Sequence, residues 1–196
     1  MTAATSAKPS LDARREHERG KYVALAGRPA ATGTGYGATN HGAAAIPLVL
    51  KHKPRFIVDF GCGRNDFIGS LRRLGIDGLG IDFAFPEADV PRAMHKTGLL
   101  DGTADVVTSF DALEHLLPED VDLVLTEMRR VARKGGRFVF SICTRPSRTT
   151  VAGEGLHPTV RPLPWWLERI ARVGEVQSPH AEGRYIVGRF KGCGSA

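Results

Sequence analysis

Two stretches of the chain hold residue types that do chemistry at telling intervals. The first is Asp59-Phe60-Gly61-Cys62-Gly63-Arg64-Asn65, with Asp82 following. A tight glycine turn between a strand and a helix lets a ligand approach bare backbone, and it leaves the helix N-terminal amides free to bind. An acid about twenty residues later, closing the next strand, accepts hydrogen bonds from both hydroxyls of a ribose. Turn and acid together point to a nucleoside site; the plainer alternative is a glycine turn that serves only strand-to-helix geometry, with Asp82 capping a loop. A nicotinamide dinucleotide would want Gly at position 66 as well, completing G-x-G-x-x-G beside a pyrophosphate. Asp66 stands there instead, and its carboxylate would repel a pyrophosphate. A cofactor without phosphates and with a positive sulfonium suits this turn better.

The second stretch is Asp111-Ala112-Leu113-Glu114-His115. Residues at i, i+3 and i+4 project from one face of a helical turn, so Asp111, Glu114 and His115 converge if the chain is helical there. Asp111 and His115 are acid–base candidates by residue type, as is His157 in the polar loop Gly155-Leu156-His157-Pro158-Thr159. The plainer alternatives are a hydrogen-bonded turn for Glu114 and His115, and surface exposure for His157. Trp165 and Trp166 either wall an acceptor pocket, where indole stacks on sugar or base faces, or pack in the core. Tyr36, among Gly33, Gly35 and Gly37, joins them as a substrate candidate.

Positioning these residues requires a particular set of elements. From Arg55 onward short apolar runs alternate with helical segments, which predicts a mostly parallel sheet covered on both faces. Residues 56–60 read as the first strand, and a helix carrying Phe67, Ile68, Leu71 and Leu74 stops at Gly75. Strands are predicted at 79–82, weakly at 88–90, and at 105–109. Pro118 starts a helix with Val121, Val124, Leu125, Met128 and Val131, ended by Gly135-Gly136, and a strand follows over 137–143. A helix over 163–171 and strands near 174–178 and 184–191 complete the pattern. In such sheets the pocket lies at the carboxyl ends of the strands, so 109–115 and 144–166 should face the reacting group.

Upstream, residues 1–10 read as a disordered start, 11–26 as a charged helix, and 27–42 as a glycine-rich connector that is either a linker or a lid. A short helix is predicted over 42–52. The organisation is thus a flexible N-terminal segment, 1–42, ahead of a catalytic domain, 43–196.

The chain of 196 residues suits one core, and 42% apolar content is ordinary for it. No apolar run is long enough to span a bilayer, and no signal core opens the chain, which favours a cytoplasmic protein away from the membrane. Cys62, Cys143 and Cys193 lack paired spacing, so reduced thiols are expected rather than a disulfide framework or zinc knuckle. A formal charge of +6 permits nucleic acid, phosphorylated metabolites or anionic glycans as partners. Oligomeric state is not legible.

The run Val58-Asp59-Phe60-Gly61-Cys62-Gly63, Gly80-Ile81-Asp82, Asp105-Val106-Val107, Leu113-Glu114-His115, Glu127-Met128-Arg129-Arg130-Val131 and Lys134-Gly135-Gly136 resembles the class I S-adenosylmethionine-dependent methyltransferases, especially the small type 11 group. The resemblance implies a Rossmann-like, doubly wound α/β fold with a seven-stranded sheet whose last strand is antiparallel. It implies S-adenosylmethionine as cofactor, with Asp59, Gly61, Cys62 and Gly63 around the methionine part, Asp82 on the ribose, Phe83 on the adenine and Ser109 among the contacts. The family's third glycine is Asn65, which tolerates left-handed angles. The acid that often meets the adenine amine is missing near Ala93-Met94, leaving that role to backbone near Met94.

The pattern Asp111-x-x-Glu114-His115 also resembles the Glu-x-x-Glu-His metal site of methyltransferases acting on small-RNA ribose or ubiquinone-precursor hydroxyls. That likeness implies His157 as a fourth ligand to Mg, Mn, Co or Zn. The function read from all this is O-methylation of a polar or sugar-containing small molecule or glycan. The alternatives are a nucleic-acid methyltransferase and a non-catalytic cofactor-binding scaffold of the same fold.

Overall fold

The computed structural model describes residues 9–26, 40–181 and 184–192. Tyr36, Cys193, most of the glycine-rich connector and residues 1–8 lie outside them. The elements in chain order are α1 (Leu11–Ala26), a 3-10 turn (Ala43–Ala45), α2 (Ile46–Leu50), β1 (Phe56–Phe60), α3 (Asp66–Arg73), β2 (Asp77–Ile81) and β3 (Ala104–Phe110). A second 3-10 turn (Leu113–His115), α4 (Pro118–Val131), β4 (Ala132–Ser141), β5 (Thr150–Val151), β6 (Glu154–Gly155), α5 (Leu163–Val173), β7 (Gly174–Ala181) and β8 (Tyr185–Phe190) follow.

Six strands form one sheet in the order β2-β1-β3-β4-β8-β7, and β5 pairs with β6 apart from it. β1 to β4 are parallel, and β8 alone runs against its neighbours on both sides. Alternate strand residues supply opposite layers. Ile57, Val106 and Val139 pack against Leu48 and Val49 of α2 and Phe67, Ile68 and Leu71 of α3. Val58, Val107 and Phe138 pack against Val121, Leu125 and Met128 of α4 and Trp166 and Ile170 of α5. This is why the strands read as nearly continuous apolar runs while the helices alternate: a strand buried on both faces has no polar side.

The fold is the doubly wound one expected, but the main sheet has six strands rather than seven. The predicted strand at 88–90 is reduced to one bridge between Ile81 and Val90. Asp89 accounts for this: its carboxylate accepts the Gly80 amide at 2.9 Å and the Asn65 side-chain amide at 2.8 Å, so a side chain pins the segment in place of a ladder. The predicted helix over 42–52 splits into a 3-10 turn and the short α2. Gly135-Gly136 does not end α4, which gives way to β4 at Ala132. Gly135, at φ 71°, lies inside that strand, beside the register shift between Ala104 and Val106. Gly75 does follow α3 in the left-handed conformation, at φ 79°.

β1 lies between β2 and β3, so the crossovers leave it in opposite directions and a crevice opens at its carboxyl end. α1 reaches that crevice from outside the sheet. Arg14 pairs with Glu119 at 2.6 Å, Arg15 pairs with Asp120, and Tyr22 and Leu25 pack on Leu156. No described helix is long and apolar enough to cross a membrane.

Candidate active site

A cavity of about 710 Å³ occupies the crevice, within the range of small-molecule sites. Its floor is the turn after β1. Gly61 and Gly63 sit at φ 77° and 53°, and Asn65 takes the left-handed conformation at φ 63° in the third glycine's place. The amides of Gly61 and Cys62 both donate to the Ile81 carbonyl, at 2.8 and 3.0 Å, which folds the turn over β2.

Asp82 accepts from the Gly63 amide at 3.1 Å and, through its other oxygen, from the Ala84 amide at 2.8 Å. Burial raises its pKa against those bonds. Asp59 is 3% exposed and accepts from the Thr108 hydroxyl at 2.6 Å. Burial pushes Asp59 up to about 7, overriding that bond, and the Asp82 charge adds to the rise.

Asp59, Gly61, Cys62 and Gly63 therefore line one cavity together with Asp82, Phe83 and Met94. Ser109 does not join them: it is fully buried, its hydroxyl donating to the Phe60 carbonyl at 2.9 Å. Neither tryptophan walls the cavity. Trp166 is fully buried in the α4–α5 layer, and Trp165, partly buried, packs against that layer with the Arg169 guanidinium 3.6 Å from its ring centre.

At the other end, the three residues expected to converge on a helical turn divide. Asp111 sits at φ 47° ahead of the 3-10 turn, and its carboxylate meets His41 at 2.8 Å, Ser141 at 2.9 Å and Arg184 at 3.2 Å. Burial works against the Asp111 anion, but these partners hold the carboxyl below its ordinary range. The His115 Nδ1 lies 2.7 Å from the Tyr22 hydroxyl and 2.8 Å from the Leu156 carbonyl oxygen. Burial drives the His115 pKa down to about 4, so the ring is neutral at physiological pH. The four-ligand metal set Asp111, Glu114, His115 and His157 therefore does not fit: two members are committed to other partners.

Glu114 and His157 do come together, with Cys143 as a third member, each offering a ligand atom within 4.8 Å of the others. Glu114 is fully buried; its Oε1 accepts the Cys143 amide at 3.0 Å, while Oε2 has no partner among the described residues. Burial raises this carboxyl to about 8. The His157 Nδ1 lies 2.7 Å from the Arg145 carbonyl oxygen. Arg145 and Arg148 also line this end, and among the described residues neither is paired with an acid.

Sequence reasoning missed Tyr22, His41, Cys143, Arg145 and Arg148. The last three lie in the 144–166 region or next to it, flagged for its place after a strand. Tyr22 and His41 reach the site from 93 and 70 residues upstream of their partners, a separation without a local signal.

The type 11 methyltransferase domain family matches residues 58–140. No curated protein sequence matches the chain. Among solved structures, the Burkholderia thailandensis 1,6-didemethyltoxoflavin-N1-methyltransferase, with 1,6-didemethyltoxoflavin and S-adenosylhomocysteine bound, superposes with a TM-score of 0.67 at 15% identity over 97% of each chain. A methyltransferase from Haloferax volcanii, in complex with its Trm112 activator, gives 0.64 at 14% identity over 91% of this chain and 99% of its own. An S-adenosylmethionine-dependent methyltransferase from Archaeoglobus fulgidus gives 0.56 at 16% identity over 75% and 91%. At such identities the likeness is one of fold.

Proposed function

We propose that the chain is a class I S-adenosylmethionine-dependent methyltransferase, the reading that the match over residues 58–140 supports, and that it methylates a hydroxyl of a polar small molecule bearing an anionic group. The cofactor occupies the β1 turn, with Asp59 at its ammonium, Asp82 at its ribose and Phe83 beside its adenine. The acceptor takes the opposite end. There the acceptor oxygen attacks the sulfonium methyl carbon, the carbon–sulfur bond breaks, and S-adenosylhomocysteine leaves. The hydroxyl proton must depart as the oxygen attacks. The far nitrogen of His157 offers a lone pair there, and Glu114 Oε2, without a partner among the described residues, can take the proton once its carboxyl has ionised, above about pH 8.

The observation that carries this reading is the pair of arginines, Arg145 and Arg148, that line the acceptor end without acid partners among the described residues. Their guanidinium forks match carboxylate and phosphate. Both are exposed, so each is expected to act on KM more than on kcat. Released S-adenosylhomocysteine, assayed against pooled hydroxy acids, sugar phosphates, neutral sugars, phenols and nucleic acids, should single out an anionic pool. Arg145→Ala/Arg148→Ala should then raise KM by about tenfold or more, equivalent to ~1.4 kcal/mol of binding. Preference for a neutral acceptor, or an unchanged KM, sinks the anionic assignment.

Asp82→Ala removes both the ribose acceptor and the bond that holds the Gly63 amide. Calorimetry should find S-adenosylmethionine binding weaker by about 1.5–3 kcal/mol, the range for hydrogen bonds to a charged group. Unchanged affinity in a folded variant would take Asp82 out of the site.

A further inference from the structure

We infer that Glu114, Cys143 and His157 form a three-ligand site for a thiophilic divalent cation, of the zinc or cobalt type, at the acceptor end of the cavity. The inference rests on the reading above only in taking this end as the acceptor's. It replaces the carboxylate–histidine set expected from the sequence with one that includes a thiol.

Three features of the cluster are those of ligands rather than of packing. One oxygen of Glu114 is fixed by the Cys143 amide, and the other is fully buried with no partner among the described residues. Leaving such an atom unpaired is costly, and a cation is the partner that answers it without a donor hydrogen. His157 contacts the Arg145 carbonyl through Nδ1, so that nitrogen carries the proton and Nε2 presents its lone pair. This outer-shell bond to a carbonyl is the usual way of fixing a ligating imidazole. Cys143 supplies a sulfur half-buried at the same point, and its Sγ lies 3.6 Å from the same Arg145 carbonyl.

The chemistry of the donors selects the ion. A thiolate, an imidazole and a carboxylate suit Zn²⁺ or Co²⁺ and disfavour Mg²⁺, which takes oxygen ligands. Binding displaces to solvent both the thiol proton and the proton that the buried Glu114 carboxyl keeps up to about pH 8, and the two anionic ligands then cancel the charge of the cation. All three residues line the cavity, so a coordination position faces the acceptor. Three protein ligands with one open position is the arrangement of catalytic rather than structural zinc. An acceptor oxygen in that position would have its pKa lowered, easing loss of the proton that must leave. Asp111 and His115 flank the site and hold its loop, as positioning residues.

The test is metal uptake by the whole chain, stripped with chelator and titrated with Co²⁺. One cobalt per chain should bind and give the near-ultraviolet thiolate-to-cobalt charge-transfer band. Cys143→Ser should lose that band, while a Cys62→Ser/Cys193→Ser double variant keeps it. Zn²⁺ affinity, measured by competition, should fall in His157→Ala and Glu114→Gln by at least the ~10–100-fold that loss of even an outer-shell partner causes. No stoichiometric uptake, or a band that survives Cys143→Ser, overturns the site. Titrating the same preparations with S-adenosylmethionine separates the two ideas. Cofactor binding without metal uptake sinks the metal site alone. Metal uptake without cofactor binding supports the site and counts against the methyltransferase assignment of the turn.

Discussion

Gly61→Val is expected to abolish measurable S-adenosylmethionine binding and to destabilise the fold by about 2–6 kcal/mol. Two independent costs add. The backbone sits at φ 77°, a region that β-branched residues avoid, and strain of that kind costs roughly 1–3 kcal/mol. A Cβ at this position would also stand 2.5 Å from the Cβ of Ala112, and overpacking costs about 1–3 kcal/mol. The turn cannot relax freely, because the Gly61 amide is held on the Ile81 carbonyl. Since the collision is with Cβ itself, Gly61→Ala should already lose most of the binding. Gly63→Ala is the control: its φ is 53°, but an added Cβ meets nothing within 4 Å, so only the backbone strain remains. Thermal melts and calorimetry on the three variants check the ranking. Normal cofactor binding by Gly61→Ala would mean that this turn is not the binding turn.

S-adenosylmethionine affinity should be nearly level above pH 7 and fall about tenfold for each pH unit below it, as the Asp59 carboxyl must give up a proton to meet the cofactor ammonium. Burial places the free protein's Asp59 at about 7, well above an ordinary aspartate. The folded chain therefore keeps this proton through a range where the unfolded chain has released it. Stability from this group is fully present below about pH 4 and is lost as pH rises toward 7, while cofactor affinity grows over the same interval. Asp59→Asn should flatten both dependences and hold affinity at the low plateau. Isothermal titration from pH 5.5 to 8.5 reads the first, and melting temperatures of the free protein read the second. An affinity independent of pH in the unaltered protein would remove Asp59 from the ammonium.

The gathering of Asp59, Gly61, Cys62, Gly63 and Asp82 around one cavity was legible because the signals are local. A glycine turn, the acid after the next strand and the helix between them lie within one strand–helix–strand unit, where spacing in sequence and in space agree. At the other end the sequence placed Asp111, Glu114, His115 and His157 at the cavity, and all four line it, but their mutual arrangement was not legible, for the opposite reason. Asp111 takes its backbone conformation while its side chain meets His41 and Arg184, 70 and 73 residues away, so no helical periodicity governs it. Trp165 and Trp166, adjacent in sequence, meet edge to face with ring centres 4.9 Å apart at the α4–α5 core, and neither lines the cavity. The strand expected at 88–90 failed through Asp89, whose carboxylate occupies the Gly80 amide. Hydrophobic patterning sees the apolar residues of a segment, not a polar side chain that substitutes for a strand's hydrogen bonds.

Between the end of β4 and the start of α5 the chain contributes Cys143, Arg145, Arg148 and His157 to the cavity, yet no strand to the six-stranded sheet. Its own two short strands pair only with each other. On the proposed reading, substitutions at the exposed positions of this excursion, such as Arg145 and Arg148, would change what is recognised and leave the sheet and the glycine turn as they are, whereas the buried Leu156 and Thr159 would not tolerate them. A lineage can trade one acceptor for another here in small steps, each intermediate still folded and still charged with methyl donor. Descendants would be expected to agree in the first half of the crevice and to differ in the second.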